Sequence, residues 1–106
     1  MQVEIKIEFG GEIFPFFINW ELPFFPSVGD CIELDDFLTD EQFDEMIGIK
    51  LIGTGKFGDF KINLCQLFTD DCYAVKITQI NWMKKQAEVF VKNENFKEIE
   101  NWLKFE

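Results

Sequence analysis

The sequence predicts an α+β domain in which five to seven mainly antiparallel strands form a strongly bent sheet or small barrel, with one short internal helix and a C-terminal helix. Three observations lead there. Apolar and polar residues alternate with a period of two from the first residues, glycines and prolines divide the chain at short intervals, and one segment carries a complete helix-start signature. The 106 residues read as a single domain, residues 1–106, able to bury roughly two thirds of the surface an unfolded chain exposes.

Val3, Ile5, Ile7 and Phe9 alternate with Gln2, Glu4, Lys6 and Glu8, the pattern of a strand with one buried face, and Gly10-Gly11 ends it. Residues 13–20 follow as its hairpin partner; Pro15 has no N–H for a ladder and restricts that strand to an edge or a bulge. The next stretch, LPFFPSVGDCIEL at residues 22–34, is a stiff connector, because Pro23 and Pro26 fix their own φ and hold Leu22 and Phe25 extended. Gly29-Asp30 then turns the chain into a strand carrying Ile32 and Leu34 on one face. Trp20, Phe24 and Phe25 have two arrangements open to them. They fold inward and seal one end of the sheet, or they lie outward as an aromatic patch for a protein partner or for a second copy in a homodimer.

Leu38-Thr39-Asp40-Glu41-Gln42-Phe43 is a capping box inside a hydrophobic staple: Thr39 caps the first turn, Gln42 reaches back, and Leu38 and Phe43 clasp the entry. A helix over residues 40–47 follows, with Phe43, Met46 and Ile47 as its stripe and Gly48 as its stop. Asp35, Asp36, Asp40, Asp44 and Glu45 make this helix and its approach an acidic solvated surface; the run lacks the glycine and alternating oxygen ligands of a calcium loop, so no metal is expected.

Strands are expected at residues 49–52, from 60 to 64 or beyond, 73–82 and 87–92. Tyr73, Val75 and Ile77 share one parity and Ile80 and Trp82 the other, which calls for a bulge near Thr78 or Gln79. Residues 62–70 echo residues 32–40 as I-x-L-x-x-apolar-apolar-T-D, but Cys72 stands where the first copy has Gln42, so a turn is expected there. Asn95 with Glu98, and Phe96, Ile99 and Leu103 with Trp102 beside them, read as a helix over residues 96–104 lying on the sheet. The expected core is Val3, Ile5, Ile7, Ile32, Leu34, Phe43, Ile62, Leu64, Val75, Ile77, Val89, Val91 and Ile99.

Composition narrows the function. A net charge of −10, with lysine as the only strong cation, argues against nucleic acid and against an anionic membrane surface. The longest apolar run, residues 13–18, is interrupted by Pro15 and falls far short of the roughly 20 residues of a membrane span. Cys31, Cys65 and Cys72 are odd in number without C-x-x-C spacing, and the chain enters its first strand pattern at once, which together suggest a reduced, cytoplasmic protein. Histidine is absent, which removes the commonest general base and metal ligand; no catalytic residue and no cofactor is expected.

Gly53-Thr54-Gly55-Lys56-Phe57-Gly58 has G-x-G-x-x-G spacing, and Tyr73-Ala74-Val75-Lys76-Ile77 resembles the V-A-I-K strand of protein kinases. The dinucleotide version of the motif requires a helix next, whereas Phe60, Ile62 and Leu64 alternate as a strand. The kinase version lacks H-R-D, D-F-G and a second lobe, so the glycines read as a hairpin turn and the local likeness as coincidence. A broader likeness rests on P-x-V-G-D-x-I-x-L at residues 26–34, then Tyr73, Val75, Ile80 and Trp82, a polar turn, and Val89-Phe90-Val91. This pattern resembles small uncharacterised bacterial proteins rich in β structure, often SH3-like barrels, and it implies a fold without an activity.

The expected function is a non-enzymatic protein-interaction or regulatory module, with Trp20, Phe24, Phe25, Asp36, Asp40 and Asp44 as partner-binding residues. Two alternatives stand beside it: an immunity-type inhibitor offering an acidic face to a basic protein, and a nucleotide-binding domain using Gly53 to Gly58 and Lys76.

Overall fold

The computed structural model describes residues 1–53, 58–68, 75–93 and 103–106. Its first element is the hairpin of β1 (Gln2–Phe9) and β2 (Glu12–Asn19), closed by Gly10 and Gly11 at φ 60° and 80°. Both glycines occupy the left-handed region that a two-residue turn needs to match strand twist. Phe9 faces Glu12 across the turn, so alternation leaves Lys6 and Pro15 as a pair without ladder bonds, and the proline ring points away from β1.

β2 is therefore the edge of a five-stranded sheet whose order is β2-β1-β7-β6-β3, where β3 is Cys31–Ile32, β6 is Val75–Trp82 and β7 is Gln86–Lys92. The alternation of β1 identifies its buried face without naming its neighbours. Its second neighbour is β7, aligned parallel with Ile5 beside Val89, so the sheet is mixed. Between β6 and β7 the register slips at Ile77/Gln79, the bulge expected from the parity change at Thr78. The sheet curls into a half-barrel around Val3, Ile5, Ile7, Phe16, Ile18, Val75, Ile77, Val89 and Val91, all buried.

A three-stranded sheet, β5-β4-β8, stands beside it, with β4 at Lys50–Gly53, β5 at Phe60–Asn63 and β8 at Leu103–Phe105. β4 and β5 pair antiparallel with Gly53 opposite Phe60, the hairpin expected around the glycine-rich segment. The helix expected over residues 96–104 is corrected at its end: Leu103 and Lys104 pair as a strand with Gly53 and Ile52, and residues 94–102, with Ile99, lie outside the described residues. Three residues are too few to show a period of two, so the stripe reading prevailed at Leu103.

Helix α1 (Asp40–Gly48) has the complete capping box: Gln42 N–H donates to Thr39 Oγ1 at 3.2 Å, and Thr39 N–H donates to Gln42 Oε1 at 2.9 Å. The same Gln42 side chain donates from Nε2 to the carbonyl of Phe17 at 2.6 Å. That carbonyl lies on the open side of β2, so Pro15 and Gln42 together blunt an edge that would otherwise template pairing. Replacing Thr39 by Ala removes one cap bond, and a loss of about 1 kcal/mol in chemical denaturation is expected.

The strand expected from residue 60 to 64 or beyond is corrected at its end: β5 stops at Asn63 and helix α2 (Leu64–Phe68) follows, while the turn expected at Cys72 lies outside the described residues. Asn63 and Gln66 form a second reciprocal box, Gln66 N–H to Asn63 Oδ1 at 2.9 Å and Asn63 N–H to Gln66 Oε1 at 3.0 Å. The alternation of Phe60, Ile62 and Leu64 runs into this helix and hides its start. α2 buries Leu64, Leu67 and Phe68, and Asn93 Nδ2 donates to the Leu67 carbonyl at 2.8 Å. Ile32, Phe43 and Ile62, expected in the core, are half-buried against it.

Candidate functional site

The phenylalanines and tryptophans gather at opposite ends of the β1–β2 hairpin. At the turn end Phe105 of β8 packs on Phe9 and Phe14 with ring centres 6.5 and 5.5 Å apart, and Phe9 meets Phe68 edge-on at 6.1 Å. This cluster joins the two sheets. The cluster at the other end is open, because there the half-barrel is unclosed between β2 and β3.

Trp20, just past β2, anchors that end. Its backbone exchanges hydrogen bonds with Met1, its indole Nε1–H donates to the Phe24 carbonyl at 2.8 Å, and its ring lies flat on Phe37 at 4.9 Å and 7°. Phe25 leans on Trp20 at 5.3 Å and on Trp82 at 4.6 Å. The strap of residues 22–30 is held from the far side as well: Gly29 N–H donates to the Ile77 carbonyl at 2.8 Å, and Ser27 N–H to Asp30 Oδ2 at 2.8 Å. Gly29 has φ 96°, a left-handed conformation that glycine adopts without strain.

A groove of about 370 Å³ results, walled by Trp20, Phe25 and Phe37 and rimmed by Asp30, Glu33 and Asp36. The strap divides its own aromatics. Trp20 is only 8% exposed and Phe25 is half-buried, whereas Phe24 is 65% exposed and Trp82, beside Phe25, is 63% exposed. Of the two adjacent phenylalanines, Phe25 is turned inward and Phe24 outward.

Of the residues expected to bind a partner, Trp20, Phe24, Phe25 and Asp36 converge on this groove. Trp20 contributes as buried framework. Asp40 and Asp44 are exposed on α1, which follows the groove wall in the chain, and are not among the groove's lining residues. Phe37 and Glu33 also line the groove and escaped the sequence reading, and Ile32, expected in the core, lines it as well. Phe37 sits in an acidic run, and its stacking partner is far away in the chain, so no local pattern marks it.

The other chemically suggestive residues stay apart. Gly53 ends β4 in the three-stranded sheet, while Lys76 lies in β6 of the large sheet between Cys31 and Lys92; residues 54–57 lie outside the described residues. Cys31 is exposed on β3 and Cys65 is half-buried on α2, and Cys72 lies outside the described residues. Among the described residues no three His, Cys, Asp or Glu side chains are grouped to hold a metal ion, and no helix is long and apolar enough to cross a membrane.

Among the described residues one group, Lys6, has a displaced proton affinity. Glu4 and Glu88 stand side by side across β1 and β7, and Lys6 binds both, with Glu4 at 3.2 Å, and lies over the Phe90 ring at 5.2 Å. Hydrogen bonds with Glu88, then Glu4, raise the Lys6 pKa above its ordinary 10.5. A raised folded-state pKa stabilises fully below the unfolded value and is lost as pH climbs through the folded one. The melting-temperature gap between wild type and Lys6→Met is therefore expected to hold constant from neutral pH toward 10.5 and to close above it. A gap that closes between pH 7 and 9 would contradict the pairing.

Comparison with family models, curated proteins and solved structures gives no match for this chain.

Proposed function

We propose that this protein is a non-enzymatic interaction module that docks a protein partner at the groove beside Trp20 and Phe37. The single observation that carries the reading is the division of the strap, in which Phe25 is folded into the framework while Phe24, its neighbour, is held outward at 65% exposure. An exposed aromatic rim over a groove with a polar border is the usual composition of an interface. Pro23 and Pro26 stiffen the strap and the Gly29–Ile77 bond anchors it, so little conformational freedom is lost when a partner docks.

A second reading, an immunity-type inhibitor for a basic protein, is favoured by the exposed carboxylates of Asp35, Asp36, Asp40 and Asp44, which run from the groove rim onto α1. Pairing of two copies through Phe24 is a third occupancy of the same surface. The reading also includes a reduced, cytoplasmic setting and kinship with SH3-like, mainly antiparallel small barrels, although the parallel β1–β7 pairing is a departure from that pattern. Nucleotide binding through the segment from Gly53 to Gly58 and Lys76 is the competing proposal, and a thermal shift with ATP and magnesium at millimolar concentration would favour it.

The test uses wild type and Phe24→Ser as parallel baits in extracts of the source cells, with size-exclusion chromatography across concentrations. A protein retained in stoichiometric amount by wild type and lost by the variant is the expected result, as is a dimer lost in the same way. Equal retention by both baits, with a monomer throughout, contradicts the proposal.

A further inference from the structure

The walls and rim of the groove differ in chemistry, and the difference specifies an occupant. The walls present ring surface from Phe25 and Phe37 over the buried Trp20, the rim presents the carboxylates of Asp30, Glu33 and Asp36, and no lysine lines the space. Among the described residues none of these three carboxylates is engaged in an ion pair; Asp30 accepts the Ser27 N–H, a neutral donor. A neutral apolar occupant would cover the rings while stripping water from carboxylates without replacing it, which is unfavourable. An anionic occupant would be repelled by the rim. A cation with an apolar face satisfies both surfaces.

We propose that the groove receives an arginine side chain from a basic segment of the partner protein. The guanidinium is planar and weakly hydrated, so it stacks on an aromatic ring while its fork of N–H donors engages a carboxylate through two parallel bonds. A lysine ammonium is a compact, strongly hydrated point charge and makes only the charge contact well. At about 370 Å³ the groove falls within the range of small-ligand sites, roughly 300 to 1,000 Å³, and accommodates one long side chain with the backbone that carries it. Asp40, Glu41, Asp44 and Glu45, exposed on α1, add to the field that draws a basic segment toward this face. This inference rests on the docking role proposed for the groove and adds the identity of the side chain.

The experiment titrates the intact protein with three acetylated, amidated pentapeptides, Gly-Ser-X-Ser-Gly with X as arginine, lysine or norleucine. The readout is the indole N–H resonance of Trp20, which reports on the groove through its bond to the Phe24 carbonyl. The arginine peptide is expected to shift this signal saturably, with lysine weaker by roughly two- to fivefold and norleucine without effect. Asp36→Asn, a conservative change at an exposed position, is expected to weaken the arginine peptide by a similar factor, and raised salt to weaken it further. Norleucine binding as well as arginine, lysine matching arginine, or no movement of the Trp20 signal with any peptide overturns the inference. The docking role itself is judged separately, by whether Phe24→Ser loses the captured partner, so the two failures are distinguishable.

Discussion

Replacing Val75 by Asp is expected to abolish the folded state at neutral pH. Val75 is 0% exposed on β6, opposite Ile32 and inside the half-barrel, with no cation buried among the described residues to meet a carboxylate. The substituted side chain must remain protonated to stay buried, and holding a group of ordinary pKa about 3.9 neutral at pH 7 costs about 4 kcal/mol. Loss of the valine's packing and imperfect hydrogen bonding of the carboxyl add about 1 to 3 kcal/mol more. Against the lower half of the roughly 5 to 15 kcal/mol range, where a domain this small belongs, most or all of the margin is consumed. Circular dichroism across temperature reads the result: no cooperative transition at pH 7, with partial recovery as pH falls toward 5. A variant melting within a few degrees of wild type at pH 7 would contradict the burial of β6.

The second large effect separates framework from surface within the strap. Trp20→Ala is expected to lose about 3 to 5 kcal/mol, since the ring carries the stack on Phe37, the contact with Phe25 and the bond to the Phe24 carbonyl. Phe24→Ser removes a side chain that is mostly in water and is expected to stay within about 0.5 kcal/mol of wild type. Chemical denaturation of the two variants measures both values. Comparable destabilisation by both would mean that Phe24 is a core residue, and the division of the strap on which the functional reading rests would be lost.

The features legible in the sequence were those in which the signal is local and chemically specific. The alternation from Val3 to Phe9, the Gly10-Gly11 turn, the Thr39–Gln42 box and the parity change at Thr78 each correspond to the element they announce. What was not legible depends on choices made between distant segments. Nothing in β1 distinguishes a parallel neighbour from an antiparallel one, and the pairing with β7 is decided by which apolar faces meet in the closed core. Overlapping signals misled in two places. The strand pattern ending at Leu64 concealed the Asn63–Gln66 box, and the stripe through Leu103 imitated a helix where a three-residue strand pairs with β4.

The candidate site shows the same limit. Its aromatic residues announce themselves by number around the two strap prolines, and Asp36 by charge, so part of the groove was visible before the fold. Which ring turns inward was not, because Phe24 and Phe25 are adjacent, identical in type, and no local pattern distinguishes them. The contacts of Phe25 with Trp20 and Trp82 decide the parity, and Trp82 lies far along the chain on β6.

The most direct test of the central claim, that the open seam of the half-barrel is the working surface, is a chemical-shift map of the isotopically labelled protein bound to the partner that wild type captures and Phe24→Ser does not. The account predicts that the perturbed residues gather at Trp20, Phe24, Cys31, Glu33, Asp36 and Phe37, all of which line the groove. Perturbations centred instead on the three-stranded sheet, at Lys50, Ile52, Lys61 and Lys104, with the groove resonances unmoved, would contradict it.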